Sequence, residues 1–139
     1  MAVDFRILRE FGLVYVRVSG DVTIAEAKEA FRDHMSHPDC ALGQKRFIDL
    51  SAMTSIESNP VGMMQFLAMM ADHFVKPGVQ TLMVYYAPTD ATRSVAHTMT
   101  RSWDVSNFVV ARVIDDEQEA LQLLGLSAKS ISHLLAQAA

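Results

Sequence analysis

The sequence predicts an α/β fold: a single-domain mixed five-stranded sheet with an N-terminal hairpin, a parallel C-terminal half and flanking helices. Three observations carry this. Leu13 to Ser19 alternates with period two, Val14, Val16 and Val18 on one face and Tyr15 and Arg17 on the other, the pattern of a strand with one drier face. Thr81 to Tyr85 and Phe108 to Val113 are nearly continuous apolar runs of the kind that is buried on both faces of a parallel sheet. Helix-start signals lie between the strands, which is the alternation of a βαβ chain with right-handed crossovers.

The elements follow in order. Phe5 to Arg9 and Leu13 to Ser19 flank Glu10-Phe11-Gly12, a hairpin signal in which Gly12 can take positive φ. Gly20-Asp21-Val22 then reads as a turn. Thr23 to Glu26 is a capping box, and Ile24, Ala27, Phe31 and Met35 follow at helical spacing until Pro38 ends the helix. Lys45 to Leu50 is the third strand, and a short polar loop follows it. Asn59 as N-cap and Pro60 at the first helical position open a second helix that runs to about Val75. Gln80 to Tyr86 is the fourth strand, and a third helix starts at Thr89-Asp90 and ends near Trp103. Phe108 to Val113 is the fifth strand. Asp115, Asp116 and Glu117 place negative charge at the start of a fourth helix that Gly125 terminates. Ser127 opens a last helix carrying Ile131, Leu134 and Leu135. Residues 1–125 form the domain, and 126–139 add a C-terminal helix packed on it.

Composition narrows the function. The chain has 139 residues, a net charge of -4 and a pI near 5.6, so it lacks the basic footprint of a nucleic-acid binder and has no attraction to anionic lipid. Its longest apolar stretch, Val61 to Ala71, falls short of the ~20 residues that span a bilayer. Cys40 is the one cysteine, which excludes an internal disulfide, and the N-terminus lacks the pattern of a signal peptide. The expectation is a cytoplasmic protein with no membrane span.

Phe47-Ile48-Asp49-Leu50-Ser51 ends a strand in Asp-Leu-Ser, and Glu57-Ser58-Asn59-Pro60 then opens a helix. Val84 to Asp90 is a strand followed by Ala-Pro-x-Asp, and Glu119-Ala120-Leu121 precedes a closing Leu-Gly. This ordered set resembles the SpoIIAA-like family, relatives of the STAS or anti-sigma-factor-antagonist domains, over residues 5–125. The resemblance implies the same sheet, a non-enzymatic role in protein interaction or regulation, and contacts on the loop and helix start that hold Asp49, Ser51, Glu57, Ser58 and Asn59. In switching members a kinase phosphorylates a serine of Asp-Ser-Ser-Gly. Here Asn59 and Pro60 replace the second serine and the glycine, which leaves Ser58 as the one carrier, or as part of a well-made helix start. The family is also similar in architecture to the CRAL-TRIO lipid carriers.

The second helix is apolar nearly all round. Met63, Phe66, Met70 and Phe74 form one stripe, and Met64, Leu67, Ala68, Ala71 and Val75 another, whereas a surface helix needs only one. Two readings stay open. The helix is sunk beneath its neighbours, or Met63, Met64, Phe66, Met70 and Phe74 stay partly wet and offer a surface to a second copy, another protein or a small apolar ligand. The C-terminal helix is one element that could cover it. Arg93, His97 and Arg101 form a polar stripe on the third helix, either a solvated face or a face for an anion or acidic partner. His34, His37 and Cys40 are zinc-compatible types, but Pro38 splits them and no second pair exists, so no metal is expected. His73, His97 and Cys40 match no catalytic motif, and neither an enzyme nor a cofactor is expected. The expected function is a homodimeric interaction module; the alternative is a carrier or sensor of a small hydrophobic ligand beside the second helix.

Overall fold

A computed structural model describes residues 2–103 and 107–137. Five strands, β1 (Val3–Leu8), β2 (Leu13–Val22), β3 (Lys45–Ile56), β4 (Thr81–Tyr86) and β5 (Val109–Ile114), form one sheet in sequential order. β1 and β2 pair antiparallel, joined by a 3-10 turn over Arg9–Phe11 and by Gly12 at φ 58°; β2 to β5 are parallel. This is the mixed sheet expected from the sequence, with the parallel region extending one strand earlier, to β2.

The crossovers are α1 (Ile24–Ser36), α2 (Pro60–Phe74) and α3 (Asp90–Thr100), followed by α4 (Glu117–Leu123) and α5 (Ile131–Gln137). Each crossover joins neighbouring strands in the same direction, and crossovers of one hand therefore put α1, α2 and α3 on one face. The two cores agree. Ile24, Phe66, Met70, Phe74 and Ala96 pack on Leu50, Met83 and Tyr85, while Leu121, Leu124 and Leu134 pack on Leu13, Tyr15, Phe47 and Val84 on the opposite face.

Local signals explain the helix starts. Thr23 and Glu26 complete their capping box, Thr89 and Thr92 form a second, and Asp116 caps α4. Asn59 Oδ1 accepts from Gly62 N at 2.9 Å at the start of α2. A Cβ at Gly62 would lie 2.4 Å from Asn59 Nδ2, so this cap needs glycine there. On the far face Lys45 Nζ donates to Leu124 O at 2.9 Å, a cation at a helix C-terminus.

Several expectations are corrected. Gly20 to Val22 is not a turn, and Ser51 to Ile56 is not a loop. β2 and β3 stay paired through Ser19 with Ala52, Gly20 with Met53 and Val22 with Ile56, with register shifts that bend the ribbon. Asp21 holds it by accepting from Thr54 and Ser55 hydroxyls at 2.8 and 2.7 Å. In α1, His34 rather than Met35 enters the core, because the buried positions are Ile24, Ala30 and His34. The last helix starts at Ile131, and Leu134 takes it to the face opposite α2, so it covers none of α2. Residues 138–139 of that expected helix lie outside the described residues. Among the described residues no helix is long and apolar enough to cross a membrane.

Candidate functional site

Between the sheet and α1, α2 and α3 lies a cavity of about 120 Å³. Its floor is the face of β2, β3 and β4 that carries Val16, Val18, Ile48, Leu50, Met83 and Tyr85. α1 contributes Ala27, Ala30, Phe31 and His34, α2 contributes Met63, Phe66, Met70 and Phe74, and α3 contributes Val95 and Met99. Period-two alternation delivers the strand residues: Val14, Val16 and Val18 share the inner face, Val14 fully packed and the other two against the cavity. Five methionines line the space, including Met53, and their unbranched side chains suit a site whose shape adapts to its occupant.

Among the described residues three of the lining are polar: His34, Arg46 and Tyr85. Arg46 is 3 % exposed, on the same face of β3 as Ile48 and Leu50. Its register partners are Val14 and Met83. Nη1 donates to Gln44 O at 3.1 Å, Nε is buried with no partner, and no carboxylate pairs with it among the described residues. The guanidinium lies 5.0 Å from the Phe74 ring centroid, a cation–π contact. Burial lowers its pKa to about 10, which keeps it cationic at neutral pH.

Two imidazoles neighbour it. Burial, then the Arg46 charge, hold His34 down at about pKa 4, and the same two causes lower His73. Both are therefore neutral at pH 7. His34 packs edge-on to Phe5 at 5.4 Å and to His73 at 6.2 Å, and Cys40 Sγ is 3.6 Å from its Nε2. His37 Nδ1 instead accepts from Asp39 N at 3.1 Å. Among the described residues no three His, Cys, Asp or Glu side chains are placed to hold a metal ion.

The candidate residues read from the sequence divide into separate places. Met63, Phe66, Met70 and Phe74 line the cavity; Phe66, Met70 and Phe74 are buried inside the fold rather than wet, because their stripe faces the sheet and α1. Met64 points away and is 70 % exposed, beside Val61 at 66 %. Asp49 is buried on the opposite face of the sheet. Tyr15 Oη donates to its Oδ2 at 2.5 Å, and Ser51 N and Oγ donate to its Oδ1 at 2.9 and 2.6 Å. Burial, then that bond to Asp49, raises the Tyr15 pKa. Glu57, Ser58 and Asn59 are exposed at the start of α2, with Asn59 Nδ2 donating to Glu57 Oε1 at 3.2 Å. Arg93 bonds Asp90 and lies 3.9 Å from Asp115, so its charge is paired, while His97 and Arg101 are exposed.

Arg46 is the functional candidate that the sequence reading missed, and His34, weighed there only as a zinc-compatible type, lines the cavity instead. The signal was present. Arg46 alternates with Ile48 and Leu50, which places it on the inner face, and His34 follows Ala27 and Phe31 at helical spacing. Compared with known proteins, the chain matches no family model and has no significant match among curated proteins.

Proposed function

We propose that this protein binds a small hydrophobic ligand in the cavity beside α2, as a non-enzymatic carrier or sensor. The observation that carries the reading is the cavity itself: about 120 Å³ of space lined almost wholly by apolar side chains. The space is partly open to solvent, and a partly open apolar recess with a few polar groups is the usual form of a small-molecule site. A dry apolar cavity of about 150 Å³ holds benzene, so the ligand or its inserted part is of that size. The likeness in architecture of SpoIIAA-like proteins to lipid carriers supports the same reading, whereas the SpoIIAA-like resemblance itself implies an interaction role. Thermal denaturation against a panel of small aromatic and branched aliphatic compounds tests it. Saturating binders are expected to raise Tm by mass action, and a panel without one stabilising compound would overturn the proposal.

A second reading rests on a separate observation. Val61 and Met64 leave an apolar patch on the outer face of α2, which supports an interaction module that pairs with a second copy of the chain or another protein. Sedimentation of the wild type and of Met64→Lys distinguishes the cases. A wild type that dimerises with rising concentration, and a variant that does not, support it; a wild type that stays monomeric at high micromolar concentration removes it.

A further inference from the structure

We infer that the cavity ligand is an amphipathic monoanion, a small aromatic or branched aliphatic carboxylic acid, whose carboxylate is received by Arg46 while its apolar part fills the space beneath α1 and α2. The inference rests on the cavity reading and adds the chemistry of the ligand's polar end.

Arg46 is the anomaly that drives it. A guanidinium carries five N–H donors, yet among the described residues this one makes a single hydrogen bond, to Gln44 O, and its buried Nε has no partner. It forms no ion pair among the described residues. Buried charges are paired as a rule, because the desolvation of an ion costs several kcal/mol. The Phe74 ring and the C-terminal turns of α1 and α2, which hold His34 and His73, ease that cost by cation–π attraction and partial negative charge, but neither satisfies the donors. A carboxylate does. It is planar, takes two parallel N–H bonds from a guanidinium and supplies the one missing charge.

The rest of the lining selects for a single charge. Among the described residues its other polar groups are His34 and Tyr85, and the imidazole is neutral at pH 7. A dianion would bury one uncompensated negative charge, and a cation would face Arg46. The volume restricts the apolar part to about the size of a benzene ring.

Benzoate and benzyl alcohol are the matched probes, read through the Nε–H signal of Arg46 in 15N-arginine-labelled protein and the methyl signals of 13C-methionine. Benzoate is expected to bind at least tenfold more tightly than the alcohol at pH 7, to shift the Arg46 Nε–H signal, and to lose that advantage in Arg46→Met. Equal binding of acid and alcohol, or an advantage that survives Arg46→Met, would overturn the headgroup assignment and leave the cavity reading standing. Methyl signals of Met63, Met70 and Met83 that respond to neither probe would overturn both. If Arg46→Met does not fold, the wild-type comparison and the Arg46 Nε–H signal decide alone.

Discussion

Arg46 and Phe74 meet with the guanidinium carbon 5.0 Å from the ring centroid, which joins the start of β3 to the last turn of α2 across the apolar core. The contact puts a charge where the strand's alternation demands a hydrophobic side chain. Arg46→Met keeps the unbranched apolar stem, ends short of the guanidinium, and removes a charge that no carboxylate offsets among the described residues. In the absence of ligand, replacing such a group by a well-packed apolar one is neutral or stabilising by about 1–3 kcal/mol, and urea denaturation checks it. Phe74→Ala, by contrast, is expected to cost about 3–5 kcal/mol, because it opens a hole beside an already unfilled space.

The histidines give the fold an acid-side weakness. The unfolded chain protonates an imidazole near pH 6.5, whereas His34 in the fold resists until about pH 4. Between those values the unfolded chain binds more protons, so stability falls as pH drops from 6.5 toward 4, by up to about 3 kcal/mol from this residue. His73 adds in the same direction. The titratable and charged groups facing His34 are Arg46, His37, His73 and Cys40, and none of them is a carboxylate. Comparing urea denaturation at pH 7.5 and 5.0, His34→Gln is expected to lose about 2 kcal/mol less than the wild type; an equal loss would remove His34 as the cause.

At the start of α2 the cap and its glycine act together. Asn59→Ala removes the acceptor for Gly62 N and is expected to cost about 1 kcal/mol. Gly62→Ala is expected to cost more than an ordinary helical substitution, since its Cβ would displace the Asn59 amide. Ser58→Asp adds charge at an exposed position before the cap and is expected to leave Tm within a few degrees, measured by thermal denaturation.

Tyr15 and Asp49 form the polar element of the opposite core. Tyr15→Phe leaves a buried carboxylate short of one donor and is expected to destabilise by about 1–3 kcal/mol without changing ligand binding, because the pair lies across the sheet from the cavity. Equilibrium denaturation and a binding titration on the same variant separate the two effects.

The fold was legible because its signals were local. Thr23, Asn59 and Asp116 cap helices where the chain announces them, and the valines of β2 declare their inner face by alternation. The ribbon beyond Ser19 was not legible, because Gly20, Asp21 and Thr54 to Ser55 are turn-forming types that pairing between β2 and β3 recruits into strand. The second helix misled for a related reason. Periodicity shows that a stripe is apolar but not what faces it, and Phe66, Met70 and Phe74 face a cavity inside the fold rather than a partner outside it. Arg46 escaped notice because its type belongs to surfaces, and His34 was weighed only as a metal ligand; their positions in the strand and helix periodicity, not their chemistry, reveal where they sit.

The central claim is that the space beneath α1 and α2 admits a ligand, and a benzene titration of 13C-methionine-labelled protein tests it most directly. Met63, Met70 and Met83 line the cavity, while Met64 stands exposed on the outside and serves as the internal control. The account expects saturable shifts at the three lining methyls, little change at Met64, and loss of the response in Ala30→Leu, whose added methyl groups fill part of the void while preserving the fold. Shifts that rise without saturation, that are uniform across all methionines, or that persist unchanged in a folded Ala30→Leu protein would contradict it.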